Sequence, residues 1–148
     1  LRQKPISILC VDDNPLVGDS LARWFARITD FRFAGYVQDG RKVEQVVHQL
    51  HPDVVLMDLD MPGIDTVALV ARLAASKPTI HVAMLSAHAD PGDIRRCLDA
   101  GACGYLCKDE NPVAVAVAVH EIAEGKRVLS PVAQAALDAG PLHVPAAG

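Results

Sequence analysis

Asp58 closes a short apolar run, Val54-Val55-Leu56-Met57, and is followed by Leu59-Asp60-Met61-Pro62-Gly63. A buried-strand pattern ending in a carboxylate and then a Pro-Gly turn presents that carboxylate at a sheet edge. Three other runs end comparably: Ile6 to Val11 on Asp12-Asp13, Ile80 to Leu85 on the hydroxyl of Ser86, and Gly104 to Cys107 on the ammonium of Lys108. Singly, each has an ordinary structural reading. A strand-end Asp is a common turn or cap residue, Asp13-Asn14-Pro15 is a helix start, and Lys108 is a surface charge. Jointly they favour chemistry, because the strands of a doubly wound parallel sheet deliver their carboxyl ends to one ligand-binding edge. Three carboxylates there repel one another until a cation intervenes. Oxygen donors without His or Cys favour Mg²⁺. Lys108 suits a phosphoryl oxygen, Ser86 can donate to the same group, and a carboxylate attacking a phosphoryl donor forms an acyl phosphate.

The elements that must position these groups alternate along the chain. Strand patterns at Ile6–Val11, Phe31–Val37, Val54–Met57, Ile80–Leu85 and Cys103–Leu106 are separated by helical ones, which predicts βαβ units and a parallel sheet. The helices are marked by Val17, Leu21, Phe25 and Ile28; by Val43, Val46, Val47 and Leu50; by Leu69, Val70 and Leu73, ending near Lys77-Pro78; and by Ile94, Cys97 and Leu98, stopped at Gly101. The run Val113 to Val119 alternates with period two and reads locally as a strand. Asn111-Pro112 ahead of it and Gly125 behind it are helix start and stop signals, so a helix is expected. Carrying valines at 113, 115, 117 and 119, that helix is apolar beyond one face, so some valines are expected to be exposed or to meet a partner. Ser130-Pro131 can cap a short helix through Leu137, and 140–148 read as a Pro/Ala/Gly tail.

Composition narrows the classes. The chain has 148 residues, 51% of them hydrophobic, enough to bury a core unaided. Its net charge of −4 and lack of a basic run argue against direct nucleic-acid binding. No apolar stretch reaches the roughly 18–20 residues needed to span a membrane. The N-terminus runs straight into the first strand pattern, so no signal peptide is expected; without an initiator Met, the chain is expected to be a fragment. Cys10, Cys97, Cys103 and Cys107 lack paired zinc spacing and are expected to be small buried thiols in a reducing cytoplasm.

Over about Pro5 to Gly125 the sequence resembles the receiver domain of bacterial two-component response regulators. The resemblance rests on Val11-Asp12-Asp13-Asn14, on Met57-Asp58-Leu59-Asp60-Met61-Pro62-Gly63, on Leu85-Ser86-Ala87 and on Gly104-Tyr105-Leu106-Cys107-Lys108. It implies an α/β fold with a doubly wound, five-stranded parallel sheet, order 2-1-3-4-5, and five helices. A receiver domain would occupy 1–125, and 126–148 would be a linker or tail with at most one short helix. By the same resemblance, Asp58 is the phosphoacceptor. Asp13 and Asp58 bind Mg²⁺ directly, joined by the main-chain carbonyl of Asp60, while Asp12 acts through a water. Lys108 holds a phosphoryl oxygen, Ser86 turns inward to the phosphoryl group, and Tyr105 follows as an aromatic switch.

Lys108 precedes Asp109 where many receivers have proline. With the segment Gly125 to Ser130, this is similar to receivers that precede a LuxR/NarL-type helix-turn-helix domain, an effector that would lie beyond Gly148. The implied partners are a sensor histidine kinase and a second copy of the chain, docked through the final helix or its neighbouring face. DNA would be reached only through the effector, and no membrane is expected. Asp60, where the family is often neutral, and His88, two past Ser86, are candidates for tuning dephosphorylation; Thr66 stands where glycine is common. The implied activity is a switch with its own phosphotransfer and slow dephosphorylation, not an enzyme acting on external substrate. Two other readings compete: a small phosphatase using Asp58-Leu59-Asp60 as a DxD motif, and a phosphate-independent receiver serving as a dimerisation module. The DxD motif of such phosphatases usually closes the first strand, whereas here it closes the third.

Overall fold

A computed structural model describes residues 4–76 and 79–140. Six strands, β1 (Ile6–Val11), β2 (Phe31–Val37), β3 (Val54–Met57), β4 (His81–Ser86), β5 (Gly104–Cys107) and β6 (Val128–Leu129), form one sheet. Their order is β2-β1-β3-β4-β5-β6, and every pairing is parallel. Six α-helices lie between and after them: α1 (Pro15–Phe25), α2 (Val43–Leu50), α3 (Thr66–Ala74), α4 (Pro91–Ala100), α5 (Pro112–Ala123) and α6 (Pro131–Ala139).

Both sheet faces are covered, which explains the unbroken apolar strands. Along β1 and β3 alternate residues serve opposite layers. Ile6, Ile8, Val54 and Leu56 meet Phe25 of α1 and Val115, Val119 and Ile122 of α5. Leu9, Val11, Val55 and Met57 meet Val43 and Val47 of α2, Leu69 and Leu73 of α3, and Ile94 and Cys97 of α4. Helix starts follow the expected chemistry. The side chains of Asn14, Asp65, Asp90, Asn111 and Ser130 each accept a main-chain N–H of the first turn, and proline opens four of these five helices. Thr66 is instead the buried first residue of α3.

The valine-rich segment is a helix. Asn111 caps it and Pro112 begins it, outweighing the local period-two pattern. Val115 and Val119 are buried, whereas Val113 and Val117, one turn apart, are 55% and 54% exposed. Some of the valines are thus outside the core, as the pattern requires.

Among the described residues the expected five strands and five α-helices are exceeded by one of each. Within the segment read as linker, Val128–Leu129 pairs with Gly104 and Tyr105 as β6, and the short helix signalled by Ser130-Pro131 is α6, with Ala133 fully buried. A two-residue strand carries no periodicity, so only its place beside β5 reveals it. Gly104 permits that approach: a Cβ there would lie 2.8 Å from Ile122 and 2.9 Å from the Val128 carbonyl. Helix α3 ends at Ala74; Lys77-Pro78, the N-terminal Leu1-Arg2-Gln3 and the tail 141–148 lie outside the described residues.

Candidate functional site

The sheet ladder runs one step past several strands and places the reactive groups. Asp12 N–H donates to Val37 O at 3.0 Å, Asp58 N–H to Val11 O at 2.8 Å, and Lys108 N–H to Ser86 O at 2.9 Å. Residues from β1, β3 and β5 thereby converge at one edge. Asp12 and Asp58 are buried, 2% and 6% exposed, while Asp13 is exposed. The three offer carboxylate oxygens within 4.8 Å of one another. The Lys108 ammonium lies between two of them, 2.7 Å from Asp12 and 3.3 Å from Asp58. Local main-chain donors aim the acids: Asn14 N–H donates to Asp12 at 2.9 Å and Asp60 N–H to Asp58 at 3.3 Å.

Three carboxylates facing one ammonium leave an excess of negative charge in a partly dry site, which costs free energy unless a second cation shares it. An all-oxygen donor set, two acids buried and one open to water, fits a hard divalent ion that keeps part of its hydration shell, as Mg²⁺ does. Burial and the Asp12 charge raise the Asp58 pKa above its ordinary 3.8, despite the opposing Asp60 N–H and Lys108. Burial works to lower the Lys108 pKa, but Asp12 and Asp58 outweigh it and raise it, keeping the ammonium charged at neutral pH. Beneath the edge, Cys10 is buried and its pKa is pushed up to about 12, chiefly by desolvation and then by Asp12, so it stays a thiol.

The raised Asp58 pKa has a consequence for stability. Below 3.8 the carboxyl is protonated in both folded and unfolded chains and contributes nothing. As pH rises from 3.8 through the folded value, the unfolded chain ionises more readily, so stability is lost and stays lost above that window. Without divalent metal at pH 7, Asp58→Asn is expected to raise Tm by roughly 2–4 °C, a gain that shrinks toward pH 4. Thermal unfolding in EDTA at the two pH values checks this; an unchanged or lower Tm for Asp58→Asn would contradict it.

Ser86 is fully buried, and its hydroxyl accepts His88 N–H at 3.1 Å. Tyr105 is fully buried too, and its hydroxyl donates to His88 O at 2.8 Å. The ring is therefore already inside, and His88 is held at both ends of its main chain, its N–H by Ser86 and its carbonyl by Tyr105. Burial pushes the Tyr105 pKa up to about 12. The His88 side chain and Asp60 are exposed. Asp60 lines, with Asp13, Met61, Asp65, Asp93 and Arg96, an open groove of about 570 Å³ beside the acids. Sequence reasoning missed the main-chain role of His88 and the carboxylate of Glu110, which accepts Cys107 N–H at 2.9 Å. Among the cysteines, Cys10, Cys97 and Cys107 are buried and Cys103 is half-buried, all as free thiols.

The chain is similar to known proteins along most of its length. Residues 8–138 match the family model described as the response regulator receiver domain. The chain is 30% identical over 131 residues to the transcriptional regulatory protein DegU of Brevibacillus brevis, covering 88% of this chain and 56% of DegU. It is 30% identical over 129 residues to the nitrate/nitrite response regulator NarL of Escherichia coli K12, covering 87% of this chain and 60% of NarL. It thus spans little more than half of those relatives' length. The signal receiver domain of a putative response regulator NarL from Mycobacterium tuberculosis superposes with a TM-score of 0.78 at 28% identity, covering 83% of this chain and 99% of that one. A LuxR-family response regulator from Aurantimonas shares the fold, with a TM-score of 0.85 at 23% identity over 91% of this chain and 96% of that one. The chain belongs to the response regulator receiver domains, with relatives of the LuxR/NarL type.

Proposed function

We propose that this chain is a phosphorylation switch in which Asp58 accepts a phosphoryl group from a sensor histidine kinase. One observation carries the reading: a Lys108 ammonium bridging Asp12 and Asp58 at the carboxyl edge of a parallel sheet, beside an exposed Asp13. In the step, an Asp58 carboxylate oxygen attacks phosphorus, the phosphorus–nitrogen bond of the kinase phosphohistidine breaks, and the imidazole leaves with a proton from solvent. The product is an acyl phosphate. Lys108 balances the charge on one phosphoryl oxygen. Asp13 and Asp58, the main-chain carbonyl of Asp60, and Asp12 through a water would hold Mg²⁺, which when bound supplies further charge neutralisation at the phosphoryl oxygens.

Switching follows from the shared attachment of Ser86 and Tyr105 to His88. A Ser86 hydroxyl turned toward the phosphoryl group gives up its bond from His88 N–H, which frees the residue that anchors the Tyr105 hydroxyl. The segment leading into α4 then shifts its population between two arrangements. Asp60 and the His88 side chain, exposed at the mouth, tune the approach of hydrolytic water. Decay of the phosphorylated chain is expected to change several-fold in Asp60→Asn and His88→Ala; decay equal to the parent in both would remove that role.

The output we infer is transcriptional, in the cytoplasm, carried by a LuxR/NarL-type DNA-binding segment other than these residues. The longer regulators that the chain matches support this. No helix among the described residues is long and apolar enough to cross a membrane. A homodimer through α5 and the adjacent α1 face is supported by Val113 and Val117 together with Leu16, which is 69% exposed. Transfer of labelled phosphate from a phosphorylated histidine kinase, followed by sizing of the product, tests this reading. Label on Asp58 with a larger species is expected. Release of phosphate from an aryl phosphate with turnover would instead favour the DxD phosphatase.

A further inference from the structure

Lys108 is followed by Asp109 and Glu110, so no proline ring fixes the turn that carries it. The chain turns at Lys108-Asp109, and Glu110 closes that turn twice. Its N–H donates to Cys107 O at 3.2 Å, and its carboxylate accepts Cys107 N–H at 2.9 Å. The second bond meets a need created by the sheet. Ser130 N–H donates to Tyr105 O at 3.0 Å. There β6 stops, because Ser130 turns to cap α6 through its hydroxyl on Ala133 N–H and Pro131 starts that helix. Cys107 N–H, the next donor on that side of β5, has no strand to meet, although its own Sγ is 3.4 Å from Ser130 Oγ. The Glu110 carboxylate supplies the acceptor. Lys108 N–H faces the other way and donates to Ser86 O at 2.9 Å.

We propose that Glu110 is a positioning residue for Lys108, replacing strand pairing at Cys107 with a side-chain bond that fixes where the lysine stem leaves the sheet edge. The inference rests on Asp58 as phosphoacceptor and Lys108 as its charge partner. The lysine stem is long and rotamer-rich, and its ammonium must meet Asp12 and Asp58 at once. Freed at Cys107, the turn offers that ammonium several origins, only some of which reach both acids. Displacement of a reacting group by about 1 Å is enough to cost up to roughly 100-fold in rate.

The test is the initial rate of phosphorylation by acetyl phosphate with Mg²⁺, read by intact mass. The chains compared are the parent, Glu110→Ala, Glu110→Asp, Glu110→Gln, Lys108→Ala and the double variant Lys108→Ala/Glu110→Ala. Glu110→Ala is expected to slow phosphorylation roughly tenfold. Glu110→Asp, one methylene short of Cys107 N–H, should be similarly slow. Glu110→Gln keeps the acceptor oxygen without the charge and should recover at least about half of the parent rate. The double variant should be no slower than Lys108→Ala, because the two act through one group. Parent-like rates in Glu110→Ala and Glu110→Asp would overturn the proposal. So would a Glu110→Gln as slow as the alanine variant, or an undiminished Glu110 effect in the Lys108→Ala background. A parent chain that takes up no phosphoryl group would overturn the phosphoacceptor reading as well, and is thus distinct from failure of the Glu110 role alone.

Discussion

Lys108→Ala is expected to slow phosphoryl transfer to Asp58 by roughly 100- to 1,000-fold, the usual cost of losing one preorganised group aimed at transition-state charge. The ammonium is held 2.7 Å from Asp12 and 3.3 Å from Asp58, and those acids keep it protonated against the pull of burial. Its charge is therefore in place before any phosphodonor arrives. The same contacts would make it a competitor for a bound divalent ion, because it neutralises two of the three carboxylates that would attract one. Lys108→Ala should therefore bind Mg²⁺ more tightly than the parent while reacting more slowly. Calorimetric titration with Mg²⁺ and initial phosphorylation rates at saturating Mg²⁺ separate the two effects. Lys108→Arg should not restore the rate, since a planar fork cannot take the place of a compact ammonium between two acids. Parent-like rates in Lys108→Ala would reduce the lysine to a structural counter-charge.

Asp13→Asn is expected to weaken Mg²⁺ binding at least about tenfold, the lower end of what loss of an outer-sphere partner costs at metal sites. Asp13 is the exposed member of the three clustered carboxylates, so its removal takes away a donor and a charge without opening a cavity. The buried pair Asp12 and Asp58 with Lys108 then carries only one net negative charge, and the demand for a second cation falls. Phosphorylation at low Mg²⁺ should drop in proportion and recover partly as Mg²⁺ is raised. EDTA should stop phosphorylation of the parent altogether. Equal Mg²⁺ affinity in parent and Asp13→Asn would show that this carboxylate is not a ligand.

What the sequence revealed depended on how far each feature is decided locally. The strand at Val54–Met57 was legible because a strand buried on both faces must be apolar throughout, and its end at Asp58 followed at once. The convergence of Asp12, Asp58 and Lys108 was legible from topology alone, since parallel strands share one carboxyl edge. Helix α5 was ambiguous, because its alternating valines mimic a strand; the cap at Asn111 and the proline after it decided the matter. Strand β6 is two residues long and exists through its pairing with Gly104 and Tyr105, which no local pattern encodes. The bonds of Ser86 and Tyr105 to the main chain of His88 were hidden for the same reason. The role of Glu110 is not legible in the sequence, because it depends on a donor left without a strand partner once β6 and α6 are in place.

Intact mass after incubation with Mg²⁺ and acetyl phosphate decides whether Asp58 is the phosphoacceptor. The parent is expected to gain the mass of one phosphoryl group, lost again on treatment with hydroxylamine as an acyl phosphate must be, and Asp58→Ala is expected to gain nothing. An adduct that persists in Asp58→Ala would place the phosphoryl group on another residue.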